Sequence, residues 1–147
     1  MVGIPLSEEE IRELLTNEKT CWLATVTPKG KPHLIPIHFR FFNGRVHIIS
    51  VSNKSRTIKN IENNPNVCFG INTGYRGGEI RSVLIRGKAE IIDRIDVLKK
   101  AHLRILTKYL SSKKEAQEFL QRLIASGTIE KRVLVVVSPE RIISWQL

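Results

Sequence analysis

Five residues in one short stretch, Lys54, Ser55, Arg56, Thr57 and Lys59, have the types and spacing to hold an anion. They lie within SVSNKSRTIKNIENNP, residues 50–65, where an apolar run leaves through a polar turn into a short helical pattern. Asn53 or Ser55 suits the N-cap, and Pro65 stops the helix. The spacing predicts a helix over residues 54–63 with Ile58 and Ile61 on its buried face. A helix N-terminus carries partial positive charge and normally attracts Asp or Glu. Cations at that end make sense if an anion sits among them. The free N–H groups of the first turn would receive it, and phosphate is the commonest such ligand. Arg56 can grip two phosphate oxygens at once, and the Ser55 and Thr57 hydroxyls can donate. The same residues also suit a solvated basic turn, because helix-end charge effects are worth only ~0.3–1 kcal/mol.

No other stretch offers a comparable site. The glycines of TGYRGGE, residues 73–79, lack a phosphate-loop frame and do not run from a strand into a helix. That stretch reads as a loop over a pocket. His33, His38 and His47 alternate with apolar residues, but no Asp or Glu partner completes a metal set. His102 falls on the face of a helical pattern and reads as packing. There is no G-x-S-x-G, no H-E-x-x-H and no convincing Ser/His/Asp order. Catalytic residues therefore stay unassigned. Any enzymatic chemistry would have to be carried by a cofactor.

The chain has 147 residues and a formal net charge of +10. Length predicts a single domain over residues 1–147. The basic balance favours anionic partners. Lys and Arg are scattered and interspersed with acids, and no nucleic-acid motif accompanies them, so nucleic acid is a remote alternative. Cys21 and Cys68 have no metal or redox spacing and read as reduced thiols. The N-terminus turns acidic at SEEE, so no secretory leader is expected. No apolar run approaches the ~20 residues that span a bilayer. The expectation is a cytoplasmic protein with no membrane contact.

The elements that must position the basic turn are mostly strands. Ser7 and Glu10 predict a capping box ahead of a first helix with Ile11, Leu14 and Leu15 inward. TCWLATVT, HLIPIHFRFF and RVHIISVS read as a three-stranded meander, with Asn43–Gly44 as a hairpin turn. NVCFGIN and IRSVLIRGKAEIID are further strands. In the second, Gly87 marks a bulge or a close backbone approach. Two helical patterns follow, then one or two closing strands around Pro139. The sum is a mainly β fold of about six strands: a small antiparallel barrel with short outer helices.

The ordered set LATVTPKGKPHLIPIHFRFFNGRVHIISVSNKSRTIKNIENNPNVCFGI, then RSVLIRGKAEIID and VVVSPERIISW, resembles the pyridoxamine 5′-phosphate oxidase-like family of FMN-binding split barrels. The resemblance covers the chain from about Ser7 to its end. It implies a six-stranded antiparallel split β-barrel, a homodimer with FMN at the subunit interface, and an FMN-dependent oxidoreductase acting on a small molecule. It places the FMN phosphate on Ser55, Arg56, Thr57 and Lys59. Ile35, Pro36, Ile37, His38 and Arg40 would line the ring and ribityl chain. Ser50 and Val51 would approach from the neighbouring strand, Ser82 from the long strand, and Trp145 from the partner subunit.

Several positions depart from the family pattern. Thr57 stands where a Lys is usual, with Lys59 or Lys54 as replacement cation. Ile35 stands where an Arg is usual, and Ser82 where a Gln is usual. The Arg-x-His ending that serves the pyridoxal substrate is absent from PERIISWQL. The resemblance thus implies another substrate. Related subfamilies use a deazaflavin coenzyme or heme, and some reduce nitro compounds or quinones. A flavin-binding or electron-transfer module without its own catalysis fits the same residues.

Overall fold

The computed structural model describes residues 3–75 and 77–147. It opens with α1 (Glu8–Asn17), started by the capping box that the sequence predicts. The Ser7 hydroxyl accepts from the Glu10 N–H, and the Glu10 carboxylate accepts from the Ser7 N–H, both at 3.1 Å. Leu14 and Leu15 are buried beneath it.

Seven strands follow: β1 (Cys21–Val26), β2 (Pro32–Ile37), β3 (Arg40–Phe42), β4 (Arg45–Ser50), β5 (Asn66–Asn72), β6 (Arg81–Ile92) and β7 (Val133–Gln146). Helix α2 (Arg56–Asn63) joins β4 to β5. Between β6 and β7 run α3 (Ile95–Tyr109), α4 (Lys113–Ala125) and a 3-10 turn (Thr128–Lys131). The sheet order is β2-β1-β5-β6-β7-β4-β3, antiparallel throughout. The mainly β fold with outer helices is as expected, and the sheet curls into a half-barrel. The strand count is seven rather than six.

The extra strand comes from one break. HLIPIHFRFF, read as a single return strand, divides at His38–Phe39, and its halves go to opposite edges of the sheet. Phe39 is fully buried, so its backbone groups need partners. Tyr109 at the end of α3 supplies them. Its hydroxyl accepts from the Phe39 N–H at 2.9 Å and lies 3.2 Å from the Phe39 carbonyl. It also donates to the Lys19 carbonyl at 2.8 Å. A side chain thus replaces a neighbouring strand. No ladder joins β2 to β4 among the described residues, and the barrel stays split there.

The other turns follow local chemistry. Asn43 and Gly44 both have positive φ, 51° and 72°, which is the geometry of a two-residue hairpin between β3 and β4. Helix α2 starts two residues later than expected, with Ser55 as N-cap, so Lys54 stays in the preceding turn. The loop after β5 contains residue 76, which lies outside the described residues. None of its described residues lines the two clefts discussed below.

The closing segment is one strand. β7 pairs with β6 along its length, and Pro139 sits at a bulge opposite Gly87. A Cβ on Gly87 would run into the Ser138 carbonyl oxygen, with Ser138 C at 3.0 Å and Pro139 Cα at 3.3 Å. The close backbone approach expected at Gly87 is therefore present. The run Val133–Val137 is buried on both faces. Val133, Val135 and Val137 fill the barrel with Phe39, Ile48, Phe69 and Ile85. Leu134 and Val136 pack outward against Leu98, Ala101 and Leu120 of α3 and α4. Gly87→Ala has no flexible neighbour to displace. It should cost about 1–3 kcal/mol of unfolding free energy in urea. An unchanged denaturation midpoint would refute the tight approach.

Candidate functional site

A cleft of about 330 Å³ opens where β2 and β4 part. β2 contributes Ile35, Pro36 and Ile37 to it. The end of β4 contributes Ser50, followed by Val51, and the start of α2 contributes Ser55, Arg56 and Thr57. These eight positions, far apart in sequence, meet around one space. Leu23, His33, Ile48, Ile49 and Val135 line it as well. Sequence reading missed these as cleft residues. Alternation along β1 and β4 marks Leu23 and Ile48 as inward-facing, but it does not reveal that the barrel is open beside them.

The remaining expected residues lie elsewhere in the chain. His38 lines an adjoining cleft and stacks on Tyr109, with ring centroids 4.1 Å apart and planes 19° apart. Arg40 donates to the Arg104 carbonyl at 3.3 Å. Lys54 lines a separate groove with Glu62 and Asp93. Lys59 is exposed one turn along α2. Ser82 and Trp145 pair across β6 and β7, on the sheet's outer face.

The anion end of the cleft has a defined donor set. The Ser55 hydroxyl accepts from the Ile58 N–H at 3.3 Å, and the Ser55 carbonyl accepts from the Lys59 N–H at 3.1 Å. The first-turn N–H groups of Arg56 and Thr57 remain without a partner among the described residues. Ser50 donates its proton to the Ser52 carbonyl at 2.8 Å. Its oxygen lies 3.3 Å from the Ser55 oxygen. The Ser55 proton is therefore free to turn from Ser50 toward an incoming anion. No acidic residue occupies the first turn of α2. Asn60, fully buried, donates to Thr25 Oγ1 at 3.0 Å and fixes α2 against β1.

Beneath the end of β2 lies a second group of titratable side chains. Cys21 donates its S–H to the Ile37 carbonyl at 3.0 Å. Burial pushes its thiol up to about 12. The Lys108 ammonium stands 3.5 Å from the Phe39 ring centroid and donates to the Leu15 carbonyl at 3.4 Å. Burial pulls it down to about 8, and burial pushes the Tyr109 phenol up to about 12. No three His, Cys, Asp or Glu side chains among the described residues gather as a metal site. No helix among them is long and apolar enough to cross a membrane.

Residues 7–146 match the pyridoxamine 5′-phosphate oxidase family model, and the chain belongs to that family. No curated protein matches it. Among solved structures it is similar to the conserved hypothetical protein Rv2991 from Mycobacterium tuberculosis. Identity there is 26%, with 99% of this chain and 88% of that one covered and a TM-score of 0.84. An FAD-binding protein from Mesorhizobium loti shares 18% identity over 100% and 99% of the two chains, with a TM-score of 0.72. An F420 reductase shares 22% identity over 95% and 98%, with a TM-score of 0.69. The last two likenesses are of fold.

The titrating group under β2 has a signature in alkaline solution. Between pH 8 and 10.5 the unfolded chain holds a Lys108 proton that the folded chain has lost, so stability rises with pH there. From pH 9 upward the folded chain retains the Cys21 proton that the unfolded chain loses, which offsets the Lys108 gain; Tyr109 adds to this above about pH 10, and stability then falls. The melting temperature should therefore rise from pH 8 to 9, level off to about pH 10 and decline beyond. Lys108→Met should remove the rise and keep the decline. Parallel profiles for the two proteins would contradict this.

Proposed function

We propose that the chain is a flavin-dependent oxidoreductase that binds FMN and works as a homodimer on a small-molecule substrate. One observation carries the reading: Arg56 and Thr57, whose first-turn N–H groups have no partner among the described residues, line the same cleft as the apolar edge of β2. That combination suits a ligand with a phosphate at one end and a flat ring at the other. The donor set fits FMN. Arg56, the Ser55 hydroxyl and the first-turn N–H groups would hold the phosphate, with Lys59 as a nearby charge. Ile35, Pro36 and Ile37 would meet the ring and exclude water from one side. Bound FMN would supply hydride or electron transfer, which no side chain here offers. Membership of the oxidase family supports the same reading.

The cleft volume of about 330 Å³ is at the low end of the ~300–1,000 Å³ range of cofactor sites. A second subunit would complete it. The outer face of the sheet supports such pairing. Trp22, Pro36, Gly70, Leu84 and Ile143 share one row across five strands. Trp22 is 46% exposed and Leu34, in the next row, is 59% exposed. An apolar face of this kind would suit association with a second copy. Ser82 and Trp145 are on the same face, so pairing of two such faces carries them into the interface. A deazaflavin coenzyme is the second reading, favoured by the likeness to the F420 reductase. A flavin carrier without turnover would use the same site.

Purified protein should be yellow with flavin absorbance, and the released chromophore should have the mass of FMN. A deazaflavin spectrum and a different mass would select the second reading, and colourless protein that ignores added FMN would reject the FMN reading. Arg56→Gln should weaken FMN binding roughly tenfold to a hundredfold by loss of a charged hydrogen-bonding group. Lys59→Gln in addition should weaken it further. Full retention of FMN by the double variant would remove the phosphate assignment. For the dimer, Leu34→Glu should convert the protein to monomer in light scattering. A wild-type monomer would exclude the shared-interface arrangement.

A further inference from the structure

A second cleft, also about 330 Å³, adjoins the first and shares Pro36, Ile37, Ile49 and Val51 with it. Its other walls come from outside the barrel. Ile105 and Leu106 of α3 and Phe119 of α4 make them apolar, and the stacked rings of His38 and Tyr109 add an aromatic surface. His102 and Arg132 also line it. Arg132 Nη1 lies 3.2 Å from His102 Nε2. A guanidinium can only donate, so Nε2 accepts and the imidazole proton sits on Nδ1. His102 is only 3% exposed. His102 Nδ1 and Arg132 Nε are both buried without a hydrogen-bond partner. Both nitrogens are closed off from solvent, whereas Arg132 as a whole is only half-buried and lines the cleft. Arg132 also has no ion-pair partner among the described residues. A half-buried guanidinium that lines a cleft with apolar walls and has no carboxylate partner among the described residues favours an anionic ligand.

We propose that this second cleft is the substrate subsite and takes a flat, conjugated ring compound carrying a carboxylate. The carboxylate would meet the Arg132 guanidinium, which His102 Nε2 helps to hold in place, and the ring would lie among Phe119, Ile105 and the His38–Tyr109 stack. Its role as a substrate subsite rests on the cofactor reading, because the shared wall of Pro36, Ile37, Ile49 and Val51 sets the ring beside the FMN cleft.

Titration calorimetry with 2-naphthoate and its uncharged isostere 2-naphthamide, on the protein as purified, tests this without turnover. The acid should bind at least about tenfold more tightly than the amide, the scale of one charge-assisted hydrogen bond. Arg132→Gln should close that gap, whereas Arg132→Lys should keep much of it. The wild-type comparison needs no variant, so it stands even if Arg132→Gln fails to fold. Equal affinity for acid and amide, or a gap that survives in folded Arg132→Gln, overturns the subsite whatever cofactor is bound. Flavin content, read from absorbance of the same samples, tests the cofactor reading separately. A flavin-free protein that keeps the acid–amide gap would overturn the subsite's place beside FMN and leave its carboxylate preference intact.

Discussion

One phenol decides the shape of this molecule. Without the Tyr109 hydroxyl, the buried backbone of Phe39 would have no partner for its N–H. A continuous strand through residues 38–39 would satisfy that group by pairing, and the barrel would have closed differently. With the phenol in place, the chain leaves the sheet at β2 and rejoins it at the other edge as β3. The opening between β2 and β4 follows from that departure. Tyr109 also holds the Lys19 carbonyl just before β1 and stacks on His38 beside the opening. The end of α3 is thus tied to two segments, the break at residues 38–39 and the residues just before β1. This coupling links a residue late in the chain to the geometry of the site.

The opening brings together two surfaces of opposite character. β2 presents apolar side chains and an unpaired edge, while α2 presents cations and free N–H groups. The helix start is poorly matched to its own residues, since Arg56 lies in the first turn and no carboxylate balances it. Yet the turn is well ordered internally. Ser55 caps the helix, Ser50 and Ser52 brace the approach, and Asn60 locks the helix to Thr25. Rigid support around an electrostatically unsatisfied end is what a preformed anion site needs, because the ligand then meets no ordering cost.

Much of this was legible in the sequence because it depends on neighbours in the chain. The capping box at Ser7 and Glu10, the Asn43–Gly44 hairpin, the stop at Pro65 and the close approach at Gly87 are all local rules. So is the basic turn. The break at His38–Phe39 was not legible, because the group that causes it lies 70 residues away. Pro139 suggests a strand boundary in the sequence and sits at a bulge in the structure for a similar reason: Gly87, on another strand, makes room for it. His102 was read as helix packing, and it is buried as expected. Its partner Arg132 comes from the segment just before β7, and no spacing rule connects the two. Of the expected site, the residues on β2, at the end of β4 and at the start of α2 converge in one chain, and Lys59 lies one turn further along the helix. Ser82 and Trp145 do not, since they lie across the outer face of the sheet.

The open edge of β2 also has to avoid pairing with another strand. A free edge is a template for unwanted sheet extension. Here the edge carries Pro32 and Pro36, which share one parity along the strand. Proline is tolerated on an edge where its missing N–H would point away from the neighbour. In an antiparallel ladder the outward groups alternate, so Leu34 and, just past the strand, His38 are the outward donors of this edge. Ile37 faces β1 instead, and its carbonyl accepts from Cys21. The edge is thereby unsuited to a continuous strand but still offers separate donors and carbonyls to a smaller polar partner. His38 is the donor at the boundary between the two clefts. The same prolines that block strand addition therefore leave an edge suited to a ligand.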